Sequence, residues 1–242
     1  MSMTDLSMWK DQDWAEYITK RSSEVEIDDS TTDHYSGTPT ASELAKYIDH
    51  TQLKPDATEQ QIDQLCNEAK DEAKTAFDNG ATELDMVIPI GLLKSQRYAA
   101  VFNDIFSVVQ TKSKYEPPHQ ANSQIVKVII ETGLLTRSEI IAACIIAQAA
   151  GADFVKTCTG FSGGKATPED VRLMKKTVER LSSGDFPSSA VARVKASAGI
   201  RSYAATLALI EAGADRIGAS AGVAIMSEAA GQSVGVATNS GY

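Results

Sequence analysis

Residues 151–170 read GADFVKTCTGFSGGKATPED. In this segment a glycine typical of a helix end precedes the short apolar strand Asp153–Thr157. A glycine-rich loop follows, and then Thr167-Pro168, which is a signal for the start of another helix. A buried strand between two helices predicts an α/β fold with a parallel sheet.

The glycine connection recurs along the chain. Residues 80–82, 151–153 and 213–215 read GAT, GAD and GAD, and an apolar run follows each of them. Three copies of one helix-to-strand connection favour a repeated unit, as in a barrel or a wound sheet. The predicted strands are Tyr47–Leu53, Glu83–Ile88, Ile125–Glu131, Asp153–Thr157, Ala190–Ala196 and Arg216–Ala219.

The number of units follows from the length. An eight-unit α/β barrel uses about 250 residues, or about 31 for each unit. Residues 44–242 provide enough chain for only about six such units. The sequence therefore predicts an α/β fold of the TIM-barrel type that is incomplete, with about six βα units instead of eight.

Composition divides the chain into two regions. Residues 1–43 form an acidic extension, in which Ser22–Thr40 reads SSEVEIDDSTTDHYSGTPT and has almost nothing to bury. We predict a disordered N-terminal tail, with a short amphipathic helix marked by Trp9 and Trp14 as the alternative. Residues 44–242 form the predicted barrel domain.

The overall composition excludes several classes of protein. The chain has 242 residues, of which 43% are hydrophobic and 23% are charged, and its formal net charge is −9. This acidity argues against nucleic acid or an anionic membrane as a partner. No apolar run reaches the roughly 20 residues of a membrane helix, and residues 1–20 lack the apolar core of a signal peptide.

Cysteine and histidine usage predicts neither disulfides nor a metal site. Cys66, Cys144 and Cys158 lie far apart, and the three histidines have no ligand spacing. Because such a chain suits a reducing compartment, we expect a cytoplasmic protein without a bound metal.

Two lysines end apolar strands in consecutive units. Lys156 ends the run FVK, and Lys195 ends the run VARVK. In a barrel they would lie side by side at the carboxyl end of the sheet, where polar residues are typically catalytic. Each ammonium group lowers the pKa of the other, which favours a free amine that attacks a carbonyl and forms a Schiff base. The alternative is that their charged ends simply reach solvent.

Two aspartates lie inside apolar strands. Asp85 lies in the run ELDMVI, and Asp49 lies in YIDHT. A carboxylate among apolar neighbours needs a partner, and beside a lysine pair it could move protons during Schiff-base formation. A structural ion pair with one of the lysines is the alternative.

Small residues cluster after the last two predicted strands. Gly199 follows the Lys195 strand, and Gly218 and Ser220 end the last one. Backbone amides at this place bind phosphate in many barrels, whereas tight turns are the alternative use of such residues.

Together these motifs resemble the deoxyribose-phosphate aldolase family. The likeness runs in one order from about Leu44 to Ala224, and it is specific because several separate strand-end motifs match at once. The matching segments are Tyr47–Thr51, Glu83–Val87, Val128–Thr132, Val155–Phe161, Val194–Arg201 and Arg216–Ser220.

The resemblance implies a TIM-barrel class I aldolase. Such an enzyme cleaves 2-deoxy-D-ribose 5-phosphate, a small phosphorylated sugar, to D-glyceraldehyde 3-phosphate and acetaldehyde without a metal or other cofactor. By the match, Lys156 is the Schiff-base lysine, Lys195 is the second lysine that perturbs it, and Asp85 is the acid/base aspartate.

The resemblance also implies a set of substrate-binding residues. Gly199, Gly218 and Ser220 match positions at which the family holds phosphate, and we add Gly160 and Asp49 to this set. Tyr242 ends the chain on a small-residue tail. It is a further candidate for assisting proton transfer, with a disordered terminus as the alternative.

Two strands of the family have no counterpart in this sequence. They would lie between the first helix and the helix before Asp85, but here residues 61–70 run directly into residues 71–77. The join near residues 70 and 71 keeps the helical phase, so one helix from about Thr58 to Asn79 is predicted.

The missing strands leave other interpretations open. Exposed strand edges favour association into a homo-oligomer. An impaired or inactive relative, or a binding protein, is the alternative function. Another Schiff-base sugar-phosphate aldolase, such as a transaldolase, fits the chemistry but matches fewer motifs.

Overall fold

The computed structural model describes residues 3–26, 40, 48–49, 74, 77, 81–112, 124–181 and 191–231. Its strands within these ranges are β1 Ile48–Asp49, β2 Glu83–Val87, β3 Ile125–Ile129, β4 Phe154–Lys156, β5 Arg193–Ser197 and β6 Arg216–Gly218. Its α-helices there are α1 Met3–Leu6, α2 Asp11–Glu26, α3 Ile90–Lys94, α4 Tyr98–Lys112, α5 Arg137–Ala149, α6 Pro168–Arg180, α7 Tyr203–Glu211 and α8 Gly222–Ala229, with a 3-10 helix at Thr132–Leu134. Tyr242 and the predicted join near residues 70 and 71 lie outside the described residues.

The six described strands form one parallel sheet in the order β1-β6-β5-β4-β3-β2. Five predicted strands are confirmed, and of the sixth, Tyr47–Leu53, the two described residues are confirmed as strand. The sheet is strongly curled. The Arg216 guanidinium on β6 lies 2.7 Å from the Glu83 carboxylate on β2, although three strands separate β6 from β2 in the sheet. Strands β1 and β2 lie at opposite edges and do not pair within the described ranges. The fold is therefore of the TIM-barrel type and incomplete, as predicted.

Helix capping follows the sequence signals. The Thr136 side chain accepts a hydrogen bond from the Glu139 backbone N–H, and the Glu139 side chain accepts one from the Thr136 N–H, which forms a capping box at α5. At α6 the Thr167 side chain accepts a hydrogen bond from the Asp170 backbone N–H, and Pro168 occupies the first helical position. These local contacts set where the helices on the outside of the sheet begin.

The repeated glycine connection builds the same joint twice. In residues 151–153 and 213–215 the glycines have φ of 85° and 104°, in the left-handed region that favours glycine. The aspartates of both copies accept a hydrogen bond at 2.7 Å from a backbone N–H of the preceding strand, β3 or β5. Each copy therefore ties the beginning of one strand to the next.

The N-terminal region departs from the prediction of a disordered tail. Helix α2 packs against α4, α5 and α6, and Trp14, Ile18 and Val25 on one of its faces are buried. The Trp14 ring lies with its centroid 5.1 Å from that of Phe102 on α4. The disordered tail is wrong for residues 11–26, where the structure shows the alternative, an amphipathic helix that contains Trp14. An acidic average composition hides its apolar stripe at helical spacing. Residues 27–39 and 41–43 lie outside the described ranges.

Helix α5 explains why an additional outer helix is needed. Every residue from Ile140 to Ala149 is buried, whereas a helix on the outside of a barrel ordinarily keeps one polar, solvated face. Helix α2 covers that face. No helix in the described ranges has the length and hydropathy of a membrane span.

Candidate active site

Three strands bring the predicted catalytic side chains together on the inner side of the curled sheet. Asp85 lies on β2, Lys156 on β4 and Lys195 on β5, and the register pairs the two lysines across β4 and β5. The Lys156 Nζ donates a hydrogen bond to Asp85 Oδ2 at 2.7 Å. The Lys195 Nζ lies 3.8 Å from the same oxygen. The three residues thus form one cluster, although 71 residues of chain separate Asp85 from Lys156.

A third lysine, Lys127 on β3, completes the cluster and was missed in the sequence. Its Nζ lies 2.7 Å from Asp85 Oδ1 and 2.7 Å from Glu83 Oε2. Glu83 also accepts a hydrogen bond from Arg216 at 2.7 Å. The sequence does carry a signal for Lys127, because a lysine in the middle of the apolar strand Ile125–Ile129 is the same anomaly that marked Asp85.

The side chains of the lysine cluster are buried. The exposed fractions of the Lys156, Lys195 and Lys127 side chains are 1%, 2% and 4%, and that of Asp85 is 17%. The lysine ends therefore do not reach solvent, which was the alternative interpretation of Lys156 and Lys195. Buried charges need close partners of opposite charge, and here two carboxylates supply them.

Burial and the charges within the cluster shift the pKa of Lys156 and that of Lys127 in opposite directions. Burial lowers the pKa of Lys156; the hydrogen bond to Asp85 opposes this effect, and the charges of Lys195 and Lys127 reinforce it, so the pKa lies below its usual range. Burial also acts on Lys127, but its hydrogen bonds to Asp85 and Glu83 outweigh burial and raise the pKa. Of Lys127 and Lys156, Lys156 is therefore the lysine that loses its proton more readily.

Asp85 is the counter-charge that the lysines share. Burial alone would raise the pKa of its carboxyl group, but hydrogen bonds from Lys127 and Lys156 outweigh burial and lower it. An ionised carboxylate at 2.7 Å from the Lys156 amine is within reach for exchanging a proton with it or with a group bound to it. This arrangement suits a lysine nucleophile with an adjacent acid/base.

Gly218 supports the lysine cluster by leaving space. It lies on β6 beside Ser197 of β5 in the register. A Cβ at Gly218 would lie 2.9 Å from Ser197 Cβ and 3.0 Å from Lys195 Cε. The Lys195 side chain therefore passes over Gly218, a contact that the sequence does not reveal.

Three other predicted substrate-binding residues lie in the loops at the carboxyl ends of neighbouring strands. Gly199 follows β5 with φ of 75°, and a Cβ there would lie 2.8 Å from Lys165 Cγ. Gly160 follows β4 with φ of 99°, and Ser220 is exposed after β6. The structure places the Asp49 backbone on β1 beside Gly218, and its side chain lies outside the described residues.

Glu131 holds the loop that contains Gly160, and the sequence analysis did not predict this role. The buried carboxylate of Glu131 accepts hydrogen bonds from the Thr159 backbone N–H at 3.2 Å and the Thr159 hydroxyl at 2.7 Å. Glu131 itself has φ of 59°, which is uncommon for a residue other than glycine. Such strain persists where surrounding contacts over-determine the conformation.

Comparison with known proteins agrees with this geometry. The family model described as DeoC/LacD family aldolase matches residues 29–228, which is most of the chain. The chain belongs to this family. Helix α2 lies ahead of the matched range. Within the described residues, no group of three or more His, Cys, Asp or Glu side chains is placed to hold a metal ion.

Curated relatives share about two residues in five with this aldolase-family chain. The deoxyribose-phosphate aldolase of Clostridium tetani is 42% identical over 233 residues, which cover 77% of this chain and 99% of the relative. That of Staphylococcus epidermidis strain ATCC 12228 is 45% identical over 228 residues, which cover 75% of this chain and 94% of the relative.

Solved structures share the fold. A Coccidioides immitis protein assigned as a deoxyribose-phosphate aldolase matches with a TM-score of 0.72 and 34% identity, over 92% of this chain and 98% of that one. The tetrameric deoxyribose phosphate aldolase of Aeropyrum pernix matches with a TM-score of 0.59 and 28% identity, over 78% of this chain and 92% of that one.

The alignment lengths point to a segment that this chain lacks. The Clostridium tetani alignment extends over 233 residues, but 77% of a 242-residue chain is about 186 residues, so about 47 aligned positions have no residue here. Two strands and the helix between them fit into such a gap. That the gap falls near residues 70 and 71 stays a prediction.

Proposed function

We propose that this chain is a deoxyribose-phosphate aldolase, which cleaves 2-deoxy-D-ribose 5-phosphate to D-glyceraldehyde 3-phosphate and acetaldehyde. The observation that carries the proposal is the buried Lys156 amine at 2.7 Å from Asp85 Oδ2, with Lys195 beside the same oxygen. Family membership adds aldolase chemistry to this geometry. The covalent imine on Lys156 serves as the electron sink, so the proposal includes no cofactor.

Lys156 is the proposed nucleophile. Its neutral amine adds to the C1 carbonyl of the open-chain sugar, and loss of water gives a protonated imine. Removal of the C3 hydroxyl proton then breaks the C2–C3 bond and releases glyceraldehyde 3-phosphate. The electron pair of that bond moves into an enamine on Lys156, which takes up a proton at C2. Hydrolysis of the resulting imine releases acetaldehyde and restores the amine.

Asp85 and Lys195 are the proposed partners in these proton transfers. Asp85 Oδ2 contacts the Lys156 amine, so it can accept and return protons while the carbinolamine, imine and enamine form in turn. The Lys195 charge lowers the pKa of Lys156, which increases the fraction of free amine at neutral pH.

The proposed phosphate site lies in the loops after β4, β5 and β6. The backbone N–H groups near Gly160, Gly199, Gly218 and Ser220 supply donors for phosphate oxygens, with Ser220 just ahead of α8. Lys165, whose side chain lies against Gly199, adds local positive charge. A chain of net charge −9 needs such a local charge to attract an anionic sugar.

We further propose that residues 44–242 form one barrel domain, from which a segment near residues 70 and 71 is absent. Association into a homo-oligomer is supported by the edge strands β1 and β2 and by the tetramer of the Aeropyrum pernix relative. Buried free thiols at Cys144 and Cys158 support a cytoplasmic location. Asp49 and Tyr242 remain proposed substrate-site residues.

Imine trapping tests the proposed function. The protein is incubated with acetaldehyde and reduced with borohydride, and the adduct is located by mass spectrometry. We expect one adduct, at Lys156, and turnover of 2-deoxy-D-ribose 5-phosphate in a coupled assay. In Lys156→Arg both are abolished while circular dichroism stays native, because a guanidinium keeps its charge but forms no imine.

A matched variant controls for a general effect of arginine. Lys94 is exposed and bonds to the Leu134 carbonyl and to Glu139, outside the lysine cluster, so Lys94→Arg should keep both adduct and turnover. A folded wild-type protein that gives no adduct at Lys156 contradicts the proposal and favours a non-catalytic relative.

A further inference from the structure

We propose that Lys127 is a positioning residue for the aldolase reaction: it holds Oδ1 of Asp85 and supplies a lasting positive charge, so that Oδ2 is left for proton exchange with Lys156. This inference rests on the proposed function, in which Lys127 has had no role. It predicts that the chemistry at Lys156 depends on a lysine that never contacts the substrate.

The two oxygens of Asp85 have different partners. Oδ1 lies 2.7 Å from Lys127 Nζ, and Oδ2 lies 2.7 Å from Lys156 Nζ and 3.8 Å from Lys195 Nζ. A carboxylate held at one oxygen cannot rotate about its Cβ–Cγ bond without losing that contact. Lys127 thereby keeps Asp85 Oδ2 directed at the Lys156 amine, which is the positioning that general acid–base catalysis requires.

Glu83 holds Lys127 from the other side. The Lys127 Nζ lies 2.7 Å from Glu83 Oε2, and Arg216 donates to that same oxygen at 2.7 Å. The contacts run from Arg216 through Glu83 and Lys127 to Asp85, and so they link β6, β2 and β3. The Lys127 ammonium group is thus held between two carboxylates, and its side chain is 4% exposed.

The balance of charge explains why Lys127 stays protonated when Lys156 does not. Four cationic side chains face two carboxylates: Lys127 from β3, Lys156 from β4, Lys195 from β5 and Arg216 from β6, against Glu83 and Asp85 of β2. Lys127 contacts both carboxylates, whereas Lys156 contacts only Asp85. Of these two lysines, Lys156 is therefore the one that can release its proton with the smaller loss of favourable pairing.

The test measures how the rate of borohydride-trapped labelling of Lys156 by acetaldehyde depends on pH, in wild type and in Lys127→Met. Removal of the Lys127 charge takes away a cation that lowers the pKa of Lys156 and leaves Asp85 less compensated. Both effects favour protonated Lys156. The midpoint of labelling should therefore move to higher pH by about one unit or more, and kcat should fall at least about tenfold with KM little changed.

Two further variants separate positioning from general stability. Lys127→Arg keeps the charge and should restore most of the wild-type midpoint. Lys175 is a matched control, because it also pairs with two carboxylates, Asp215 and Glu179, away from the cluster. Lys175→Met should lower the thermal midpoint but leave the labelling profile unchanged.

The outcomes distinguish this inference from the proposed function. Wild type without label at Lys156 refutes the function. The inference alone is overturned if wild type is labelled and Lys127→Met has the same labelling midpoint and the same kcat as wild type. Lys127 would then have only a structural role. If Lys127→Met does not fold, Lys127→Gln removes the charge but keeps a hydrogen-bond donor on a side chain one bond shorter, and the same alkaline shift is required of it.

Discussion

Gly218→Ala tests the space that the fold leaves for Lys195. The added Cβ would lie 2.9 Å from Ser197 Cβ and 3.0 Å from Lys195 Cε, whereas carbon atoms in favourable contact lie about 3.5–4.0 Å apart. Each overlap is therefore about 0.5–1 Å. The Ser197 hydroxyl donates to the Cys158 carbonyl, which opposes displacement of Ser197. The contact with Ser197 Cβ therefore strains β6 against β5, and the flexible Lys195 side chain must shift as well.

The size of the effect follows from this overlap. Forcing an extra carbon into a packed interior destabilises by about 1–3 kcal/mol. For a chain of this size each kcal/mol lowers Tm by about 2–4 °C, so we expect a fall of about 2–12 °C. The Lys195 charge lowers the pKa of Lys156. If its ammonium group moves away from Asp85, labelling of Lys156 should shift to higher pH.

Calorimetry and the acetaldehyde labelling profile measure the two effects separately. Gly91 on α3 is the matched control, because nothing lies within 4 Å of a Cβ added there. Gly91→Ala should leave both readouts unchanged or raise Tm slightly. A Gly218→Ala protein with wild-type Tm and wild-type labelling midpoint would refute the reasoning. A raised KM for the phosphorylated sugar alone would instead favour a role in phosphate binding only.

Two other substitutions test local strain and the N-terminal helix. Ala198 has φ of 81°, so Ala198→Gly should stabilise by about 0.5–2 kcal/mol in urea unfolding, while Ala204→Gly on α7 should destabilise by about 1 kcal/mol; a less stable Ala198→Gly contradicts the strain. Trp14 is fully buried against Phe102, so Trp14→Ala should cost about 3–5 kcal/mol. Met8→Ala, at an exposed residue, should stay within about 0.5 kcal/mol, and equal stability of the two variants would show that α2 contributes nothing.

Local signals predicted most of the fold. The Thr167 cap and the left-handed glycines Gly151 and Gly213 of the repeated connection are confirmed, whereas Gly80 of the third copy lies outside the described residues. Each depends on hydrogen bonds and backbone angles within a few residues, which the sequence specifies directly. The acidic extension was misjudged over residues 11–26 because the apolar stripe of α2 gains its stability from α4, α5 and α6, which lie far away along the chain.

For the candidate site, the sequence alone identified the chemical types and the strands: Lys156, Lys195 and Asp85 are anomalies within apolar runs, and strand alternation places such residues on one face of a sheet. Only the tertiary structure decided which atoms meet. Strand register places Lys127 directly beside Asp85 on the neighbouring strand and at its Oδ1, and the curl of the sheet brings Lys156, two strands away, to Oδ2. It also lays Lys195 over Gly218. The two-residue alternation along a strand determines which side chains face the inside of the sheet. It does not determine which of them meet there, because those contacts depend on strand order, register and curvature together.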